Sequence, residues 1–190
     1  RGQMKTLVYL FGPPGAGKTT LMRAICSHAK PLFVGDKPIK HRGFTGNMGM
    51  FSVLGADGNP FGGTDTLSYT AVGTASIWLS KLSECAGGSL VFGEGDRLAN
   101  QRFFDEASRH YNLALFYLQC PNDLAESRRL ERAKQHGLKL QNSEWVRGRG
   151  TKHLNLAKAN PSTRWLSAAD TPQSMAQGIW AMLNATHRHT

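Results

Sequence analysis

Eight residues near the start of the chain, Gly12-Pro13-Pro14-Gly15-Ala16-Gly17-Lys18-Thr19, combine the groups that handle a triphosphate at the spacing G-x-x-x-x-G-K-[ST]. The glycines let successive backbone N–H groups turn inward around a β-phosphate. Lys18 reaches the β and γ oxygens, and the Thr19 hydroxyl ligates magnesium, with Thr20 next on the same turn. Chance produces this pattern in roughly one or two of a hundred chains of ordinary composition. The apolar run Leu7-Val8-Tyr9-Leu10-Phe11 directly before it supplies the buried strand the loop needs. Binding of a nucleoside triphosphate is therefore expected.

Three further groups suggest a site around that loop. Glu94 and Asp96, in Val91-Phe92-Gly93-Glu94-Gly95-Asp96, follow an apolar run and stand where a carboxylate would orient magnesium; Asp96 is the better placed of the two to cap a following helix, which favours Glu94 as the metal ligand. Asp36 closes the run Pro31-Leu32-Phe33-Val34-Gly35, and at a strand tip across the loop it would accept a proton from an attacking hydroxyl. Arg128 and Arg132 lie four apart, on one helix face, and with Lys139, Arg147, Arg149 and Lys152 they outline a basic lid over residues 128–152. Such donors stabilise charge on the migrating phosphoryl group. A solvated basic face would show the same pattern.

Apolar runs alternating with helical periodicity must carry these groups. Strands are expected over residues 5–11, 31–36, 89–94, 113–120 and 163–167. Helices are expected over 18–30, 67–85 (with Ile77, Trp78 and Leu82 inward), 97–111, 121–136 and 171–184, plus a short one after the Gly-interrupted basic stretch 137–150. This alternation predicts an α/β fold with a parallel five-stranded sheet and helices on both faces. Residues 37–66 break the pattern. Seven glycines between Gly43 and Gly63 punctuate aromatic and apolar residues, and Asp57-Gly58 reads as a turn, so a hairpin or loop insertion is expected. On its position it would serve the acceptor side, with His41, Arg42, Phe44, Phe51 and Asp65 as candidate contacts; the two phenylalanines would serve equally as anchors to the core.

The composition bounds the rest. At 190 residues the chain is expected to form a single domain, 1–190. No run of 18 apolar residues occurs, so no membrane partner is expected, and Cys26, Cys85 and Cys120 fit free thiols in a cytoplasmic setting. No obligate protein partner is evident. The formal net charge of +10 and pI near 9.9 point to a polyanionic partner beyond the triphosphate itself.

The loop from Gly12 to Thr19, Asp36 and the lid with Arg128 and Arg132 together resemble the P-loop kinases that phosphorylate nucleotides, sugars and polynucleotide ends. The resemblance implies a P-loop NTPase fold and ATP with Mg2+. It also implies an acceptor contact by Asp36, phosphate contacts by Arg128 and Arg132, and adenine near Ala168-Ala169-Asp170-Thr171-Pro172. The segments Phe61-Gly62-Gly63-Thr64-Asp65-Thr66-Leu67-Ser68, Phe92-Gly93-Glu94-Gly95-Asp96-Arg97-Leu98-Ala99-Asn100 and Trp145-Val146-Arg147-Gly148-Arg149 are similar to phage kinases that phosphorylate 5-hydroxymethyluracil in DNA. That narrower resemblance implies DNA containing a modified pyrimidine as partner and its hydroxymethyl group as acceptor. A free nucleoside, nucleotide or small-alcohol kinase is the alternative enzyme, and a nucleic-acid-binding ATPase the alternative of another class.

Overall fold

The computed structural model describes residues 5–58, 60–85 and 87–188. The domain expected over 1–190 includes residues 1–4, 59, 86, 189 and 190, which lie outside the described residues. Strand β1 (Thr6–Phe11) is buried along its whole length. Its side chains alternate between two cores: Leu7, Tyr9 and Phe11 enter one, Val8 and Leu10 the other. Helices α2 (Ala71–Ser83), α3 (Gln101–Ser108) and α5 (Ser143–Ala159) cover the first face; α1 (Lys18–Cys26) and α6 (Pro172–Arg188) cover the second. The α/β architecture with helices on both faces is as expected.

The sheet has seven strands, in the order β2-β3-β4-β5-β1-β6-β7, with β2 (Lys30–Gly35), β3 (His41–Gly46), β4 (Gly49–Leu54), β5 (Leu90–Glu94), β6 (Asn112–Gln119) and β7 (Arg164–Ser167). From β4 to β7 all neighbours are parallel; β2, β3 and β4 are antiparallel to one another. The five-strand expectation is corrected at the 37–66 segment. Gly46 pairs with Gly49 across Asn47 and Met48, and Gly49 has φ +88°, so the chain reverses there and not at Asp57-Gly58. The resulting hairpin enters the sheet, because Phe44, Phe51 and Val53 have a core to fill: Phe44 stacks on Phe51 at 5.3 Å, and Phe51 meets Phe92 and Trp180.

Two helices also depart from expectation. Asn100 caps α3, its Oδ1 accepting from Phe103 N at 2.9 Å, so that helix begins past Arg97. Helix α5 runs unbroken through Gly148 and Gly150, where a basic loop and a shorter helix were expected. Tertiary contacts of its buried His153, Leu156 and Ala157 outweigh the glycine penalty of about 1 kcal/mol each. In α2, Trp78 is buried but Ile77 faces outward, 60% exposed.

Candidate active site

The loop between β1 and α1 is shaped by glycine. Gly15 and Gly17 have φ +89° and +91°, and Gly17 starts α1 in the left-handed conformation. A side chain at Gly12 would run into the Leu118 carbonyl of β6. The Lys18 ammonium lies across the loop mouth, donating to the carbonyls of Gly12 (2.9 Å) and Pro13 (3.1 Å). Burial lowers its pKa, while the charges of Asp65, Glu94 and Asp96 oppose that shift. Thr19 donates its hydroxyl to Glu94 Oε1 at 3.0 Å, whereas Thr20 is exposed.

Helix α4 (Asn122–His136) closes the loop from the β6 side. Arg128 donates to the Ala16 carbonyl at 3.2 Å and to the Ala168 carbonyl at 2.9 Å, which ties the loop to the turn after β7. Arg129 donates to the Pro14 carbonyl at 3.1 Å. Arg132 makes no hydrogen bond among the described residues; its guanidinium sits over the Phe61 ring at 4.7 Å. Its charge acts on Lys18, and that of Asp65 acts on it. Of the two arginines expected over the phosphates, Arg132 is the one that makes no hydrogen bond among the described residues. Arg128 holds the loop backbone.

Glu94, only 1% exposed at the end of β5, fits the metal role. Burial raises its pKa to about 7 despite the Lys18 charge, and its Oε2 is buried without a hydrogen-bond partner. An orphaned carboxylate oxygen beside the Thr19 hydroxyl is a donor set suited to a hard cation such as magnesium, with phosphate oxygens and waters supplying the rest. Bound there, magnesium would neutralise charge building on the phosphates.

Asp96 is held from α5 on three sides. His153 Nε2 and Lys152 Nζ approach Oδ1 at 2.7 and 2.9 Å, and Arg149 Nη1 approaches Oδ2 at 3.0 Å. Burial alone would raise its pKa; the hydrogen bonds from His153 and Lys152 reverse that and hold the carboxyl far below its ordinary range. Asp96 is therefore a permanent anion clasped by α5. It does not cap α3, whose cap is Asn100.

The acid that faces the loop from the far side comes from a different element than expected. Strand β4, not β2, pairs with β5, so the segment after β4 crosses over the phosphate loop. Gly55 and Gly63 lie back to back there, with φ +84° and +62°. Gly63 presses so closely on the Glu94 carboxylate that a side chain would overlap it. Thr64 donates to the Glu94 carbonyl at 2.9 Å, with the Tyr9 hydroxyl 3.0 Å from Thr64 Oγ1 and donating to the Gly95 carbonyl at 3.2 Å. Arg23 of α1 anchors the outer end through Asp57 (3.1 Å) and the Gly58 carbonyl (2.7 Å). This framework presents Asp65, half-buried, with Oδ1 accepting from Asp96 N at 2.8 Å.

Asp36 is not brought to the site. It is exposed at the end of β2, four strand positions from β1, which is about 19 Å at ordinary strand spacing. The inserted hairpin displaced it. Of the other acceptor-side candidates, Phe44 and Phe51 are core residues. His41 binds the Ile39 carbonyl at 2.7 Å and packs on Trp78 at 4.9 Å, under α2. Arg42 donates to the Gly55 carbonyl at 3.3 Å and so supports the Asp65 loop from behind. Sequence reasoning missed His153 and the clasp role of Lys152; the only signal was their i, i+3, i+4 spacing with Arg149 on one helix face.

A sugar kinase from Janibacter sp. HTCC2649 superimposes with a TM-score of 0.56 at 11% identity, covering 95% of each chain. A gluconokinase from Sinorhizobium meliloti 1021 gives 0.49 at 13% identity, with 100% of this chain and 97% of that one covered. A shikimate kinase from Acinetobacter baumannii in complex with shikimate gives 0.45 at 17% identity, covering 97% and 96%. The likeness to the sugar kinase establishes the shared fold. No curated protein matches the chain in sequence. The family described as P-loop Nucleotide Kinase3 matches residues 3–170, and its members use ATP with Mg2+. The chain therefore belongs to the P-loop Nucleotide Kinase3 family and is a phosphotransferase.

Proposed function

We propose that the protein transfers the γ-phosphoryl group of ATP to a hydroxyl of a small alcohol, with Asp65 on the acceptor side. One observation carries this reading: Asp65 Oδ1 accepts from Asp96 N at 2.8 Å while its Oδ2 makes no hydrogen bond among the described residues, and the other unpartnered carboxylate oxygen, Glu94 Oε2, is buried beside Thr19. Asp96 is clasped by Arg149, Lys152 and the His153 ring, and Glu94 faces Thr19. Asp65 accepts a hydrogen bond from the acceptor hydroxyl and turns its lone pair toward the γ-phosphorus. As the new O–P bond forms, the bridging P–O bond breaks, ADP leaves and Asp65 takes the proton. Lys18 and Arg132 donate to the γ-phosphoryl oxygens during the transfer. The Gly62-Gly63 segment over Thr19 and Glu94 limits water access, which favours transfer over hydrolysis. The fold shared with a sugar kinase supports a small acceptor.

A second acceptor, the hydroxymethyl group of 5-hydroxymethyluracil in DNA, is favoured by a separate observation. Three exposed aromatic rings each carry an arginine: Phe61 with Arg132, Tyr69 with Arg97 at 3.3 Å, and Trp145 with Arg149 at 5.4 Å. Together with the +10 charge, such pairs suit unstacked bases and their phosphates.

A transfer assay with γ-labelled ATP separates the readings. Its acceptors are sugars, gluconate, shikimate, free nucleosides and nucleotides, plain DNA, 5′-hydroxyl oligonucleotides and DNA carrying 5-hydroxymethyluracil. Label on a small alcohol, unaffected by salt, supports the first reading; label on modified DNA that falls steeply with salt supports the second. Release of inorganic phosphate with no labelled acceptor would refute both and leave an ATPase.

A further inference from the structure

His153 is the most enclosed ionisable residue of α5, 1% exposed, and both ring nitrogens are engaged. Nδ1 accepts from Gly12 N at 2.8 Å, so it carries no proton; Nε2 then bears the proton and donates it to Asp96 Oδ1 at 2.7 Å. Gly12 N is the first amide of the phosphate loop, and a side chain at Gly12 would strike the Leu118 carbonyl behind it. That peptide is therefore fixed from two sides. The Gly12 carbonyl on the same residue accepts from Lys18 Nζ at 2.9 Å. Nearby, a Cβ added at Gly150 of α5 would meet the Pro13 side chain at 3.8 Å, an ordinary contact.

We infer that His153 is a positioning residue for the nucleotide: through its neutral, Nε2-protonated ring it fixes the first peptide of the phosphate loop to the Asp96 clasp. Its two bonds have different consequences. The bond to Gly12 N sets the start of the loop, from which the amides that surround the phosphates continue. The bond to Asp96 holds α5, with Arg149 and Lys152, against the turn after β5. Burial lowers the His153 pKa below its ordinary 6.5, although the Asp96 hydrogen bond opposes this, which agrees with the neutral ring that the geometry requires. The inference concerns the donor half of the site and is independent of the acceptor.

Two substitutions divide the bonds. The Asn oxygen can occupy the Nδ1 position and keep the Gly12 bond without reaching Asp96; the Gln amide can occupy the Nε2 position and keep Asp96 without serving Gly12. Binding of the magnesium complex of a non-hydrolysable ATP analogue is measured by calorimetry on the full chain, beside His153→Ala. Amide exchange at Gly12 and thermal melting are followed on the same proteins. His153→Gln and His153→Ala should bind the analogue about tenfold more weakly, the effect of one ordering hydrogen bond, with Gly12 exchange accelerated. His153→Asn should bind within about threefold of the parent and keep Gly12 protected, even where melting drops as far as in His153→Gln. Equal binding by the Asn and Gln variants, or binding that follows melting temperature alone, overturns the inference; if the Ala variant does not fold, the Asn and Gln pair still decides it.

Discussion

Glu94→Gln isolates the energetic cost of the buried metal-side carboxylate. In the ligand-free protein its pKa is raised from 4.5 to about 7 by burial, with Asp65 adding to the effect and Lys18 opposing it. A raised folded-state pKa means that the folded protein holds the proton more tightly than the unfolded chain. The associated stability is complete below pH 4.5 and is lost as pH rises through about 7. The span corresponds to about 3 kcal/mol. Gln keeps an acceptor for the Thr19 hydroxyl but cannot ionise, and its amide group costs about 1–3 kcal/mol where Oε2 has no partner. That cost is the same at every pH. The stability of the variant relative to the parent should therefore rise by about 3 kcal/mol between pH 4.5 and 8, or about 6–12 °C in Tm for a chain of this size. Urea unfolding in chelator across that range measures it, and the titrations that are not coupled to Glu94 cancel in the difference. A variant whose stability runs parallel to the parent would refute the reasoning.

Asp65→Asn should lower phosphoryl transfer about a hundredfold while leaving ATP affinity within about twofold, whereas Asp36→Asn should leave transfer within about twofold; steady-state kinetics on whichever acceptor is labelled compares them. Arg128→Ala removes two hydrogen bonds to backbone carbonyls and should lower stability by about 1–3 kcal/mol and weaken ATP binding, read by urea unfolding and calorimetry. Gly55→Ala places a side chain on the Gly63 backbone at φ +84° and should cost about 2 kcal/mol or more, with loss of transfer exceeding loss of ATP binding because Asp65 is displaced.

The donor half of the site was legible in the sequence because it is local. A buried strand, a glycine loop and a helix start are contiguous, and Lys18 and Thr19 have fixed places within them. Glu94 was legible for the same reason, as the acid closing an apolar run. The acceptor side was not, because it depends on which strand lies beside β5. Reading residues 31–36 as that strand assumed that the glycine-rich text after it stayed out of the sheet; Gly46-Asn47-Met48-Gly49 made a hairpin of it. Asp65 was named among the acceptor-side contacts of the inserted segment, but Asp36 was expected to be the acid that faces the loop. His153 and Lys152 read as part of a basic face, and only the fold reveals that Asp96, 57 residues before His153, neutralises that patch from within.

The hairpin also leaves the molecule with a new boundary. Strand β2 is an edge strand, and its Leu32, Phe33 and Val34 are all substantially exposed, a combination that invites sheet-to-sheet stacking between molecules. Pro31 lacks an N–H to offer, and the pairing with β3 shifts register between Pro31 and Phe33, so the outer backbone is not a straight, fully donating ladder. The widened sheet thus carries at its rim its own safeguard against polymerisation.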